Sequence, residues 1–155
     1  MAQIWNAVWG LALMGLPGES MAQTAPFCAQ LHGAMATANS DKPAKSALDI
    51  TLPGRPQAAG ICGFSIDMSG RHSAHCRWAF AYRAQAAMDA FSDALDALSA
   101  CVDRPGPGVK DAAVNHPDSY DLRLFRHAGG TIGLSIKDKV ALQKTFVMLR
   151  VTPDR

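Results

Sequence analysis

Apolar residues spaced three or four positions apart predict two helices in the chain. The first covers residues 26–38, where Pro26 suits the first turn and one face carries Phe27, Leu31, Ala34, Met35 and Ala38. The second covers residues 83–103, and its apolar face carries Ala84, Met88, Phe91, Leu95, Leu98 and Val102. Aspartates occupy the opposite side of this second helix, so we expect that side to face water.

Alternation of apolar and polar residues predicts a β-hairpin between the two helices. The apolar positions of its strands are Cys62, Phe64, Ile66 and Met68, followed by Cys76, Trp78, Phe80 and Tyr82. A Ser-Gly turn separates the two runs, a pattern typical of a hairpin with one buried and one exposed face. A turn centred on Ser69 places Cys62 opposite Cys76.

Shorter patterns predict further strands on either side of the second helix. Leu48, Ile50 and Leu52 alternate with polar residues, which indicates a short strand before Pro53-Gly54. After the second helix we expect strands over residues 120–125, 132–136 and 145–151. The last of these is apolar on both faces, which indicates a central position in its sheet.

The order of these elements predicts one α+β domain over residues 23–155. Strands that follow one another, instead of alternating singly with helices, favour an antiparallel sheet. We therefore expect about five antiparallel strands packed against two helices and stapled by two disulfides. Residues 104–119 have no periodicity, and loops of that length are often functional or disordered.

Residues 1–22 have the features of a secretory signal peptide. An uncharged apolar run over 4–16 is followed by a Pro-Gly break, and Ser20 and Ala22 supply the small residues of a cleavage site. The run of about a dozen residues is shorter than the roughly 20 that a membrane-spanning helix needs. No Lys or Arg precedes it, so an upstream start codon, a weak signal and a cytoplasmic first helix stay open as alternatives.

The four cysteines also favour export to a periplasmic or extracellular compartment. They all lie after the signal segment, and no Cys-x-x-Cys pair is present, which suits two structural disulfides. The hairpin register pairs Cys62 with Cys76 and leaves Cys28 to join Cys101 between the helices. Four buried free thiols are the alternative. No lipid-attachment pattern precedes Cys28, so we expect no stable membrane anchor once the signal is removed.

Two groups of residues suggest chemistry. Met68, His72 and His75 lie close to Cys76, and thioether, imidazole and thiolate groups are ligands of copper or zinc. The odd spacing of the two histidines, however, places them on opposite faces of a strand, and an exposed polar turn is the simpler interpretation.

The long loop contains His116, Asp118 and Ser119, which could belong to a small hydrolase-like enzyme. Triad members usually come from separate segments, whereas these three lie within four positions of one another. Asn, Pro, Asp and Ser are also ordinary turn residues. No cofactor is implied by any motif in the chain.

Negative and positive charges are concentrated in different segments of the chain. The chain has a formal net charge of +2, and removal of Glu19 with the signal would make it +3, which is low for a nucleic-acid-binding protein. Residues 83–103 carry a net −3 and residues 120–155 a net +4. We expect binding through Arg123, Lys137 and Lys139 on the basic segment, together with His116 of the long loop.

These observations favour an exported, non-enzymatic domain that binds another protein, such as an inhibitor, an immunity-type protein or an envelope-associated module. The absence of a catalytic motif is the main reason, and the comparison with small exported inhibitors is an analogy. Two charged segments of opposite sign could also meet in a homodimer. The hydrolase-like enzyme and the copper or zinc protein are the alternative functions.

Overall fold

The computed structural model of the protein describes residues 19–40, 48–55, 57–102, 109–110, 120–127 and 129–154. Within these ranges the chain forms, in order, α1 (Glu19–Ala38), β1 (Gly60–Ile66), β2 (His72–Ala81), α2 (Gln85–Cys101), β3 (Val109–Lys110), β4 (Tyr120–His127), β5 (Gly130–Lys139) and β6 (Lys144–Pro153). A short 3₁₀ helix, Val140–Leu142, joins β5 to β6. The α+β class predicted from the sequence is confirmed.

The strands form one antiparallel sheet in the order β1-β2-β6-β5-β4-β3. Five strands are seven to ten residues long, and β3 adds two residues at one edge. β6 lies between β2 and β5, which confirms the central position predicted from its two apolar faces. The hairpin of β1 and β2 is also confirmed, with Cys62 directly opposite Cys76.

Both helices pack against each other and against the central strands of the sheet. Side chains alternate along a strand, so one face of each strand points toward the helices and the other away from them. The face toward the helices carries the apolar side chains of the sheet that are fully buried and large, namely Trp78, Ile132, Leu134, Val147, Leu149 and Val151. The opposite side of the sheet is called the open face below.

Two disulfides link neighbouring elements, and both predicted pairings are confirmed. Cys28–Cys101 joins α1 to α2, and Cys62–Cys76 joins β1 to β2. The first closes a separation of 73 residues and the second one of 14. In the chain-entropy account a longer closed loop restricts the unfolded chain more, so the bond between the helices gives the larger stabilisation.

The strand predicted over residues 48–52 is wrong, although its burial pattern is right. Leu48, Ile50 and Leu52 are buried, but the segment pairs with no strand of the described chain. The backbone N–H of Thr51 instead donates to Oε1 of Gln30 in α1 at 3.0 Å. The alternating burial of this unpaired segment therefore produced the same apolar and polar alternation in the sequence as a paired strand does.

Element ends also differ from the prediction. α1 begins at Glu19, so Pro26 lies inside the helix and not in its first turn. Proline is disfavoured within a helix but not excluded from it. β5 continues to Lys139, beyond the predicted end at Ile136, because the charged residues 137–139 alternate between the two faces. Residues 1–18 of the predicted signal segment 1–22, and most of the loop 104–119, lie outside the described residues.

Candidate functional site

The open face of the sheet contains a concavity of about 650 Å³ that crosses β1, β2, β6, β5 and β4. Apart from Cys76 and Leu149, which belong to the core, its described lining residues have side chains that alternate away from the helices. Antiparallel sheets commonly leave one face to solvent, and such a face is usually polar. Here the face combines an apolar floor with basic side chains, and this combination makes it the candidate site.

The apolar floor comes from strands on both sides of the concavity. Leu122 and Leu124 of β4 and Met148 of β6 line it, and Ile61 of β1 is 67% exposed at its margin. Gly133 of β5 lies beside the two leucines, and a Cβ there would be in ordinary van der Waals contact with them, 3.4 Å from Leu124 Cδ2 and 3.6 Å from Leu122 Cδ1. The centre of the open face therefore offers apolar surface to a partner.

Three basic side chains line the same concavity, His75 and Arg77 on β2 and Arg150 on β6. His75 is directly opposite Arg150 in the β2–β6 register. The Nε of Arg150 donates to Oγ of Ser73 at 3.3 Å, and the guanidinium of Arg77 lies 5.0 Å from the ring centre of Phe146. No acidic side chain occurs among the described residues that line the concavity.

The positive charge of this site affects His75. Partial burial of the imidazole lowers its pKa, and the charges of Arg150 and Arg77 lower it further. His75 is therefore neutral at neutral pH and can donate or accept a hydrogen bond. A group whose pKa is lowered by nearby positive charge marks a place where a negative charge would be stabilised.

The predicted binding residues do not all share one surface. Lys137 and Lys139 alternate onto the open face, and the Lys137 ammonium lies 5.5 Å from the ring centre of Tyr120. Arg123 lies on the other side of β4, where it donates two hydrogen bonds to Asp121 at 3.0 and 3.1 Å. His116 lies outside the described residues.

The residues of the copper or zinc alternative do not converge. His72 and His75 alternate onto opposite faces of β2, as their spacing predicted, and Cys76 is in a disulfide. Nδ1 of His72 lies 3.2 Å from the carbonyl oxygen of Ser40, while Met68 is fully exposed in the turn. In the described part of the chain, no three His, Cys, Asp or Glu side chains are grouped to hold a metal ion.

Sequence reasoning missed Arg77 and Arg150 as site residues. Each stands at a polar position in a strand pattern, and such positions normally face solvent without further meaning. The signal that was available is that Arg150 interrupts the otherwise apolar last strand. The pairing that brings Arg150 beside His75 joins strands far apart in the chain and could not be inferred from local patterns.

Comparisons with known proteins add no functional information. No protein family matches the chain, and no curated protein is significantly similar to it in sequence. Neither helix in the described ranges has the length and apolar character needed to cross a membrane. The functional argument therefore depends on the geometry of the open face.

Proposed function

We propose that the protein is a non-enzymatic binding module that docks another protein on the open face of its sheet. The partner surface would have carboxylates around apolar side chains, complementary to the basic side chains and apolar floor of this face. The observation that carries the proposal is a concavity with both kinds of surface and no acidic side chain among its described lining residues.

The composition of the open face suits protein recognition. Aromatic, methionine and arginine side chains are common in interface centres, and here Tyr120, Met148 and Arg77 line one concavity. Lys137 and Lys139 extend the positive charge beyond it. Complementary charge on a partner would increase the association rate and help to select the correct partner.

We also propose that the protein acts in the periplasm or outside the cell. Two disulfides bridge the described domain, and such bonds persist in oxidising compartments. The signal-like segment over residues 1–22 supports the same proposal from the sequence. An exported domain of this size would meet its partner in the envelope or the medium.

The test compares two variants with the same change in net charge. In one, Lys137 and Lys139 are replaced by Ala; in the other, the exposed α2 residues Ala86 and Ser92 are replaced by Glu. A partner is first isolated from the envelope fraction on the wild-type protein, purified and titrated. We expect the lysine variant to weaken Kd by about tenfold, with a loss of affinity in added salt, and the α2 variant to match wild type.

Equal Kd values for the two variants would contradict docking on the open face. Self-association that depends on Lys137 and Lys139 would identify the partner as a second copy of the chain. Loss of activity in a folded Ser119→Ala or His116→Ala variant, with no response to the lysines, would favour the hydrolase-like alternative.

A further inference from the structure

We infer that Arg77, Arg150 and His75 form a subsite that binds a carboxylate carried next to an apolar group. The inference depends on the proposed docking at the open face and names the chemistry that would anchor the partner there. Three observations support this subsite: the distribution of ion pairs in the described chain, the β2–β6 register and the adjoining apolar floor.

Arg77 and Arg150 differ from the other described arginines in having no carboxylate partner. The ion pairs of the described chain are Arg55–Asp89, Arg71–Asp67, Arg83–Asp138, Arg123–Asp121 and Arg126–Asp154. Each arginine outside the concavity is thus paired with an aspartate, whereas the two that line it contact a serine hydroxyl and an aromatic ring. The positive charge in the concavity is therefore not balanced within the described chain.

The strand register brings the three basic groups within reach of one anion. His75 and Arg150 are directly opposite each other, and Arg77 follows His75 on the same face. Opposed residues of antiparallel strands have Cβ atoms about 5 Å apart, and alternate residues of one strand are about 7 Å apart. Arg77 extends toward Phe146 and Arg150 toward Ser73, on either side of His75, so a carboxylate beside the imidazole would lie between the two guanidinium groups.

A hydrogen bond to Ser73 holds the Arg150 side chain on the side of His75 away from Arg77. Ser73, which accepts from Nε of Arg150, is buried, and its hydroxyl lies 2.8 Å from that of Ser65 on β1. The contact uses one of the five guanidinium donors, so the others can bind a ligand. A planar guanidinium matches a carboxylate with two parallel hydrogen bonds, which favours a carboxylate over a neutral polar group.

The apolar floor defines the rest of the ligand. Leu122, Leu124 and Met148 line the same concavity as the basic groups. A ligand with an apolar group beside its carboxylate would cover this floor while its charge meets the arginines. A peptide C-terminus after a large apolar residue, a glutamate beside such a residue and a fatty acid all have this chemistry.

His75 supplies a direct measure of binding. The charged groups that face it are Arg150 on β6 and Arg77 on β2, and the opposing β1 residue is Gly63. Both arginines lower the pKa of His75, so a bound carboxylate should raise it by offsetting their charge. Because binding then favours the protonated imidazole, affinity should increase as the pH falls toward the pKa of His75.

The experiment follows the pKa of His75 by NMR in the full domain, with the signal assigned by His75→Gln. The probes are acetyl-Phe-Leu with a free carboxyl, the same peptide amidated, acetyl-Phe-Glu amide and decanoate. We expect the free acids to raise the pKa of His75 and the amidated acetyl-Phe-Leu to leave it unchanged. Arg77→Gln and Arg150→Gln should each weaken binding by about ten- to hundredfold.

Ligand-free variants provide the control for correct folding. Arg77→Gln and Arg150→Gln should raise the pKa of His75 without any probe, since each removes a nearby positive charge. Arg55→Gln, which removes an arginine paired with Asp89 of α2, should change neither this pKa nor the affinity for the probes.

The outcomes separate this inference from the proposed function. Binding of either peptide acid supports both and identifies the chain end or the side chain as the source of the carboxylate. Binding of decanoate alone supports the subsite and contradicts a protein partner at the concavity. If none of the carboxylates changes the signal of His75 at millimolar concentration, the subsite is wrong, while docking through Lys137 and Lys139 is decided by its own test.

Discussion

At the scale of single residues, a buried polar network fixes the turn from β2 into α2. Arg83 has a left-handed φ of 52°, and its backbone N–H donates to Oγ1 of Thr145 at 2.8 Å. The Thr145 hydroxyl in turn donates to Oδ1 of Asp138 at 2.6 Å, and Nε of Arg83 donates to Oδ2 at 2.9 Å. Thr145 and Asp138 are both buried, although the Arg83 side chain is exposed, so the bond between these two buried side chains replaces contact with water.

Replacement of Thr145 by Val should destabilise the domain by about 1–3 kcal/mol, because a buried carboxylate oxygen and a backbone N–H lose their partner together. The measurement is urea unfolding of both proteins at neutral pH. Thr152→Val, the same change at a half-buried position of the same strand, is the control and should alter stability by less than about 0.5 kcal/mol. Equal losses in the two variants would show that the network does not stabilise the turn.

At the scale of elements, α1 packs against the start of β5 through a close contact at Gly130. A Cβ at this position would meet the carbonyl oxygen of Thr152 and lie 2.7 Å from Cε and 2.8 Å from Sδ of Met35. The methionine is buried, and the carbonyl belongs to the neighbouring strand β6. Glycine therefore allows helix and sheet to approach at this point.

Glycine-to-alanine substitutions at two sites should have opposite effects. Gly130→Ala should destabilise the domain by about 1–3 kcal/mol, since Met35 and the β6 backbone must shift. Gly33 lies on the exposed side of α1 with nothing within 4 Å of its Cβ position, so Gly33→Ala should stabilise by about 0.5–1 kcal/mol. Denaturation midpoints of the two variants check both signs, and a neutral Gly130→Ala would disprove the tight contact.

Elements whose pattern is local were predictable from the sequence. The β1–β2 hairpin depends on two alternating runs and a short turn, and its register also determined both disulfide pairings. The segment from Leu48 to Leu52 failed because burial alternates in any extended chain beside a core, whether or not it pairs. The segment differs from a strand in having no strand partner in the described chain and in bonding through Thr51 to Gln30 of α1.

The candidate site was less predictable than the fold. Ser73 and Arg150 are 77 residues apart in the chain, and no local pattern shows that β2 and β6 are neighbours. The net positive charge of residues 120–155 was visible in the sequence. The sequence did not show that Arg123 and Lys137 lie on opposite faces of the sheet. The order in which strands pair is established only in the folded chain. A site built from several strands can therefore be located only once that order is known.

At the scale of the whole molecule, the start of α1 bears on processing of the chain. α1 begins at Glu19, so cleavage after Ala22 would remove its first four residues. The buried residues described for this helix begin at Phe27, and Cys28 follows directly. Loss of the first turn would therefore leave the helix attached to both the core and α2.

Mass spectrometry of the protein exported by its source cell should find an N-terminus at Gln23. A bulky residue at the −1 position should block this cleavage, so Ala22→Leu should retain the uncleaved chain in the membrane fraction. The protein with Gln23 at its N-terminus should keep the unfolding midpoint of the full chain within error. Intact Met1 on protein from the cytoplasm would contradict both export and the oxidising compartment.

The central position of β6 also decides when the domain can fold during its synthesis. Among the described strands, the β1–β2 hairpin and the β4–β5 pair do not pair with each other, and β6, which follows them in the chain, joins them. Until Lys144–Pro153 has left the ribosome, both pairs present an unpaired edge, which promotes aggregation. If the protein is exported as proposed, we expect the chain to stay unfolded enough to be threaded through a narrow translocation channel until β6 has been made.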